Sequence, residues 1–153
     1  LIKRRENYQK IYLHYSNETL KSIILPVRGY GLWGTLYGYL AVKPDLQTII
    51  GLEFFQHKET PGLGAEVDNP RWKALWRNKK IYGDTGEVLI SVVKGTVNSS
   101  STLSDYQVDG LSGATITSKG VSNLLTFWLG ELGYLPFIKR FKKDTLIPEK
   151  IDV

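Results

Sequence analysis

Asp109-Gly110-Leu111-Ser112-Gly113-Ala114-Thr115-Ile116-Thr117-Ser118 sets small and hydroxyl-bearing residues directly ahead of an amphipathic pattern. From Val121, apolar residues recur at Leu124, Leu125, Trp128 and Leu132, the spacing of one helical face. Ser112 is the expected N-cap, Gly113-Ala114-Thr115 the expected first turn, and the helix is predicted to run to about Leu132. The unpaired N–H groups of such a turn, with the positive end of the helix dipole, favour an anion. Small side chains let a phosphate approach the backbone, and the Thr115 hydroxyl would share its place. Locally two readings stand: an ordinary Ser-capped helix, or a phosphate seat. The segment is not a Walker A loop, because no Gly-Lys-Ser/Thr follows, and it is not a Gly-x-Gly-x-x-Gly fingerprint.

Outward from this segment, strands dominate. Residues 8–15 and 19–27 read as a hairpin around Ser16-Asn17-Glu18. Two more strands are predicted at 33–43 and 46–56, joined by Lys43-Pro44-Asp45, with Gly34, Gly38 and Gly51 marking bulges or close backbone approach. Asn69-Pro70 predicts a helix start, with Asn at the N-cap and Pro at the first helical position. Trp72, Leu75 and Trp76 then share a face, and the helix is expected to end near Lys79-Lys80, where cations suit the dipole. A tight hairpin around Gly83-Asp84-Thr85-Gly86, a strand over 87–94 and a polar loop to Gln107 follow. Pro136 and Pro148 predict an irregular or packed tail. The class is α+β: a mostly antiparallel sheet with two principal helices, in one domain over residues 1–153.

Composition bounds the chemistry. At 153 residues, with 42% hydrophobic and 23% charged residues, the chain is long enough for a single real core. It has no cysteine and two histidines, which removes thiolate chemistry, disulfides and iron–sulfur ligation and argues against a zinc site. No run of 18 apolar residues exists to span a membrane. The chain starts at Leu1 and contains no methionine, which reads as a fragment or a processed chain. The net charge of +5 is concentrated in Lys3-Arg4-Arg5 and in Lys139-Arg140 with Lys142-Lys143. Both clusters read as solvated surface or as contacts with lipid headgroups or a partner subunit. Nucleic acid is not expected, since the aromatics do not interleave with the basic residues.

A second segment, His57-Lys58-Glu59-Thr60-Pro61-Gly62-Leu63-Gly64, changes the balance. With Ser112-Gly113-Ala114-Thr115 it resembles the FMN-binding domain shared by ion-pumping flavoprotein subunits. Gly29-Tyr30-Gly31-Leu32-Trp33-Gly34, Tyr37-Gly38, Val92-Val93-Lys94-Gly95 and Trp128-Leu129-Gly130 look like the C subunits of bacterial Na+-translocating NADH:quinone oxidoreductases. The Trp33 block favours that family over its relative, the G subunit of the Rnf ferredoxin:NAD+ oxidoreductase. A third reading, a reversible non-redox phosphate-binding module, needs only the Ser-capped helix.

The resemblance implies FMN held covalently through a phosphoester to Thr115. A threonine hydroxyl does not attack a phosphate unaided. It implies a flavin transferase as the installing enzyme, with Asp109, Ser112, Gly113, Ala114 and Thr115 as its recognition sequence; Asp109 reads equally as a turn residue. Ser112, Gly113, Ala114 and Thr117 would seat the phosphate, with Ser118 either joining them or facing solvent. Glu59 and Thr60 would contact the isoalloxazine, Leu63 and Trp33 would pack on it, and Lys94 would be a counter-charge or a strand-end lysine. The implied function is a one-electron relay from an iron–sulfur centre to the next flavin subunit. The chain has no catalytic residue of its own and serves as a subunit of a translocating enzyme. The implied location is the periplasmic side of the inner membrane, anchored by a helix upstream of Leu1 and in contact with the other subunits.

Overall fold

A computed structural model of the chain describes residues 8–146. Four antiparallel strands form a meander: β1 (Tyr12–Ser16), β2 (Thr19–Tyr30), β3 (Thr35–Val42) and β4 (Ile49–Gln56), adjacent in chain order. The cause is period-two alternation. Ile23, Leu25 and Val27 of β2, Leu36, Leu40 and Val42 of β3, and Leu52 and Phe54 of β4 are buried, while the residues between them turn outward. The first hairpin closes on Asn17 and Glu18, with Ser16 opposite Thr19 and φ values of 49° and 62°. Two left-handed residues in a two-residue loop match the strand twist. Pro26 is tolerated within β2 because β1 pairs only as far as Ile24, which leaves that edge of β2 uncovered beyond it. At Gly38 the expected bulge is found: the register shifts between Tyr37 and Gly38, where the Glu53 carbonyl leaves no room for a Cβ.

One face of the sheet carries the helices. Helix α1 (Pro70–Ala74) starts as predicted, with the Asn69 side chain accepting from the Arg71 N–H at 2.9 Å and Pro70 in the first position. It is a single turn rather than a helix reaching Lys79-Lys80; Asn78 at φ 62° lies in the left-handed region, which ends helical winding. The hairpin around 83–86 forms, but the predicted strand 87–94 reduces to a bridge from Tyr82 to Val88 and a short β5 (Ser91–Val92). That strand pairs in parallel with β6 (Gln107–Val108). Helix α2 (Thr115–Leu129) lies across β2, and its approach is set by Gly29, where an added Cβ would stand 2.5 Å from Leu124 Cβ.

Two expectations are corrected and a third is narrowed. Ser112 is not the N-cap of α2: the cap position is Ala114, and Gly113 at φ 71° breaks helical winding before it. The helix ends at Leu129 rather than Leu132, because the chain turns back at Gly130, with the Tyr134 N–H on the Trp128 carbonyl at 2.6 Å. The tail is packed, as one of its two expectations had it, but it is regular: Leu135–Leu146 form helix α3. Pro136 sits in its first turn, where a missing N–H costs nothing, and Ile138 is buried on the side that also holds Phe137 and Phe141. Lys3-Arg4-Arg5 and Pro148 lie outside the described residues.

The core is tied by polar ends of buried aromatics. The Trp128 indole N–H donates to the Arg28 carbonyl at 2.7 Å, and the Tyr134 hydroxyl to the Pro26 carbonyl at 2.6 Å. The Tyr82 hydroxyl donates to the Leu129 carbonyl at 2.8 Å, and burial pushes its pKa upward.

Candidate functional site

The parallel β5–β6 pair brings residues distant in sequence to the start of α2. Past its end, the Val93 N–H donates to the Val108 carbonyl at 2.9 Å and the Gly110 N–H to the Gly95 carbonyl at 2.8 Å. Lys94 therefore stands beside the Asp109–Thr115 loop. Lys94, Thr96, Asp109, Ser112, Thr115 and Lys119 line a common cleft of about 500 Å³. Thr115, the first residue of α2, is exposed there, as are Ser112 and Gly113. Ala114 offers no side-chain cap. The first-turn N–H groups of a helix have no intrahelical partner, so an oxygen-rich anion in this cleft would satisfy them.

Asp109 is held at both ends: its Oδ1 accepts from the Val97 N–H at 2.8 Å, and its carbonyl from the Trp72 indole N–H at 2.8 Å. Ser118 does not face solvent, although it lines the cleft. It is buried, and its Oγ accepts from the Leu111 N–H at 3.0 Å, which fixes the bend leading into the helix.

Thr117 departs from its expected place. Its side chain is buried away from the cleft, and its hydroxyl donates to Glu59 rather than to a phosphate. The alternation of a helix explains this: two residues on from exposed Thr115, a side chain turns toward the sheet. Glu59 is itself buried, and accepts from the Leu32 and Trp33 N–H groups at 3.0 Å each besides Thr117. Burial alone would raise its pKa; the Thr117, Trp33 and Leu32 hydrogen bonds outweigh that and hold it below the ordinary glutamate value. Its carboxylate thus faces protein donors. Its own N–H donates to His57 Nδ1 at 3.1 Å, and His57 Nε2 bonds Asp68 at 2.7 Å.

Thr60 and Trp33 are joined side by side, the indole N–H donating to the Thr60 hydroxyl oxygen at 3.1 Å. The Thr60 carbonyl accepts from the Leu63 and Ala65 N–H groups at 3.1 Å, and Gly62 takes φ 74°, which shapes the loop. Trp33 is 66% exposed and Leu63 43%, so the Glu59–Gly64 loop and the turn it holds present apolar surface to solvent. Leu63 reaches across to the motif: a Cβ on Gly113 would lie 2.8 Å from Leu63 Cδ2. The structure therefore gathers Lys94, Asp109, Ser112, Gly113 and Thr115 in one cleft, with Leu63 at its edge. It pairs Trp33 with Thr60, and withdraws Glu59 and Thr117 into the interior.

Lys119 is a residue that the sequence reading missed. It lines this cleft and also a second groove of about 500 Å³ on the other side of the helix start, formed with Tyr30, Gly31, Ile116 and Asn123. The signal was present, because Lys119 stands four residues after Thr115 and so on the same helical face.

Comparison with known proteins follows the same residues. At 56% identity, the C subunit of the Na+-translocating NADH-quinone reductase of Pseudomonas aeruginosa aligns with 93% of this chain and 54% of its own length. The corresponding C subunit of Yersinia pestis is 42% identical over 95% of this chain and 54% of its own length. The chain spans about half the length of these curated relatives. The crystal structure of Shewanella oneidensis NqrC superposes with a TM-score of 0.86 at 38% identity, covering 93% of this chain and 64% of that one. A model of the FMN-binding domain matches residues 31–130, from the turn that Glu59 holds to the end of the Thr115 helix. Since that match takes in Trp33, the Glu59–Gly64 loop, Lys94 and Thr115 together, the chain belongs to the FMN-binding domain family.

Proposed function

We propose that this chain carries FMN covalently on Thr115 and serves as a one-electron relay in a Na+-translocating NADH:quinone oxidoreductase. The observation that carries this reading is the exposed Thr115 hydroxyl at the uncapped start of α2, in a cleft with lysines on two sides. A cleft of about 500 Å³ lies within the range of ligand sites, about 300–1,000 Å³.

The residues present fit a phosphate on Thr115. First-turn N–H groups and the Ser112 hydroxyl supply donors, and Lys94 and Lys119 supply positive charge. A charge-assisted hydrogen bond there contributes roughly 1.5–3 kcal/mol. Leu63 and Trp33 provide the apolar surface on which a flat ring packs, with Thr60 steadying the indole. Bound FMN supplies the electron chemistry, and the chain supplies position and electrostatics.

Attachment falls to a separate flavin transferase, because a threonine hydroxyl does not attack a phosphate unaided and the Ser112-Gly113-Ala114-Thr115 motif holds no His or Lys to act as its base. Asp109 and the small residues after it form the strand of chain that such an enzyme reads. The relay receives electrons from an iron–sulfur centre and passes them to the next flavin subunit, on the periplasmic side of the inner membrane. The resemblance to the C subunits supports these assignments.

The test is intact mass under denaturing conditions, on protein exported together with an active flavin transferase. A gain of one FMN less water, mapped to the Thr115 peptide, is expected. No gain, with the transferase active on a control substrate, would overturn the reading and leave a reversible anion binder.

A further inference from the structure

Among the described residues, Glu59 is the acidic side chain buried in the core side of the site, at 6% exposure. Its surroundings are built for a carboxylate. Oε1 accepts from the Trp33 N–H and Oε2 from the Leu32 N–H, each at 3.0 Å, and Oε2 also takes the Thr117 hydroxyl. Two glycines make the room. A Cβ on Gly31 would stand 2.5 Å from Oε1, and one on Gly64 would stand 2.7 Å from Oε2 and 2.6 Å from Thr117 Oγ1.

The donors come from two separate walls. Leu32 and Trp33 belong to a tight turn closed by the Gly31 N–H on the Gly34 carbonyl at 2.8 Å. Thr117 belongs to the first turn of α2, two residues past Thr115. Glu59 is where the two walls meet. The next residue, Thr60, takes the Trp33 indole N–H, so consecutive residues hold Trp33 by its backbone and by its ring.

We propose that Glu59 is a positioning residue: its carboxylate touches protein rather than ligand, and locks the exposed Trp33 turn to the helix start that presents Thr115. This rests on the reading of Thr115 and Trp33 as the flavin seat. Three donors require acceptors on both oxygens, which the charged carboxylate provides and a glutamine does not. The glutamine amide nitrogen is itself a donor and would face an N–H or a hydroxyl. Losing one partner of a buried polar set leaves the others unsatisfied.

The experiment is backbone 15N relaxation on the whole 153-residue chain, comparing wild type with Glu59→Gln. Leu32 and Trp33 amide order parameters should be about 0.85 in wild type and fall below about 0.6 in the variant, with those of Trp72, Trp76 and Trp128 unchanged. On flavin-loaded protein, the variant should keep its attached flavin and lose the visible circular dichroism that a fixed Trp33 imposes. Order parameters that stay high at Leu32 and Trp33, or fall equally at all four tryptophans, would overturn the proposal. If Glu59→Gln does not fold, Thr117→Val takes its place, since it removes one donor at constant shape; unchanged amides at 32 and 33 in that variant would also overturn it. Attachment is scored separately by mass, so an unmodified wild type would sink the functional reading and leave the relaxation result standing.

Discussion

The Trp72 indole N–H donates to the Asp109 carbonyl across 2.8 Å, and so fastens α1 to the loop that delivers Thr115. Trp72 is buried and meets Trp76 edge-on, with centroids 5.4 Å apart. A phenylalanine keeps much of that packing but removes the only hydrogen on the ring that reaches the carbonyl. Trp72→Phe should therefore cost about 1–3 kcal/mol, the penalty for a buried acceptor left unpaired. Chemical denaturation checks this. A loss below about 0.5 kcal/mol would mean that the carbonyl finds another donor.

Thr115 has the opposite character. Its side chain is exposed, and helical propensity favours alanine at its position. Thr115→Ala should leave stability within about 0.5 kcal/mol of wild type while abolishing covalent flavin. Intact mass of the denatured protein reads the second effect and thermal denaturation the first. Flavin still attached in the alanine variant would move the site elsewhere.

The sheet was legible because alternation along 19–27 and 33–56 is local, and so was the Asn69-Pro70 cap. The start of α2 was misread at Ser112, because a serine two residues before an alanine cap has the right chemistry for a cap. Only the φ of 71° at Gly113 shows that the chain has not yet begun to wind. Helix α3 was hidden by Pro136, which reads as a breaker unless the helix begins just before it. Within the site, motif residues were found one by one, but their grouping depends on long-range pairing. The parallel β5–β6 ladder puts Lys94 beside Thr115, and Thr117 meets Glu59 across 58 positions of sequence. No local pattern carries either fact.

Acid should weaken the fold through its depressed carboxylates, Glu59 and Asp45 being the two that are partly buried. Glu59 and Asp45 both lie below their ordinary values of 4.5 and 3.8. For Asp45, burial raises the pKa, and the Thr48 hydroxyl with the Thr48 and Gln47 N–H groups outweighs it. The folded chain thus holds fewer protons than the unfolded chain in acid. Their contribution is full above the ordinary values and is lost as pH falls through the depressed ones. The melting temperature should decline as pH drops below about 4.5, and Glu59→Gln should flatten part of that slope. An identical slope in the variant would show that Glu59 is not held ionised.

Leu63 stands at the edge of the cleft, 43% exposed, with its Cδ2 over Gly113. Two substitutions separate its roles. Gly113→Ala forces a side chain onto a backbone at φ 71° and presses on Leu63, so it should cost roughly 1–2 kcal/mol from the backbone alone. Leu63→Ala removes apolar surface that is already half in water, so stability should change by less than about 1 kcal/mol. If Leu63 forms a wall of the ring site, its loss admits water, which favours the more highly charged, reduced form of the flavin. The midpoint potential of the loaded protein should then rise, with attachment to Thr115 intact. Redox titration of Leu63→Ala against wild type is the measurement. A midpoint unchanged between the two would remove Leu63 from the ring wall and leave Trp33 as the apolar surface facing the flavin.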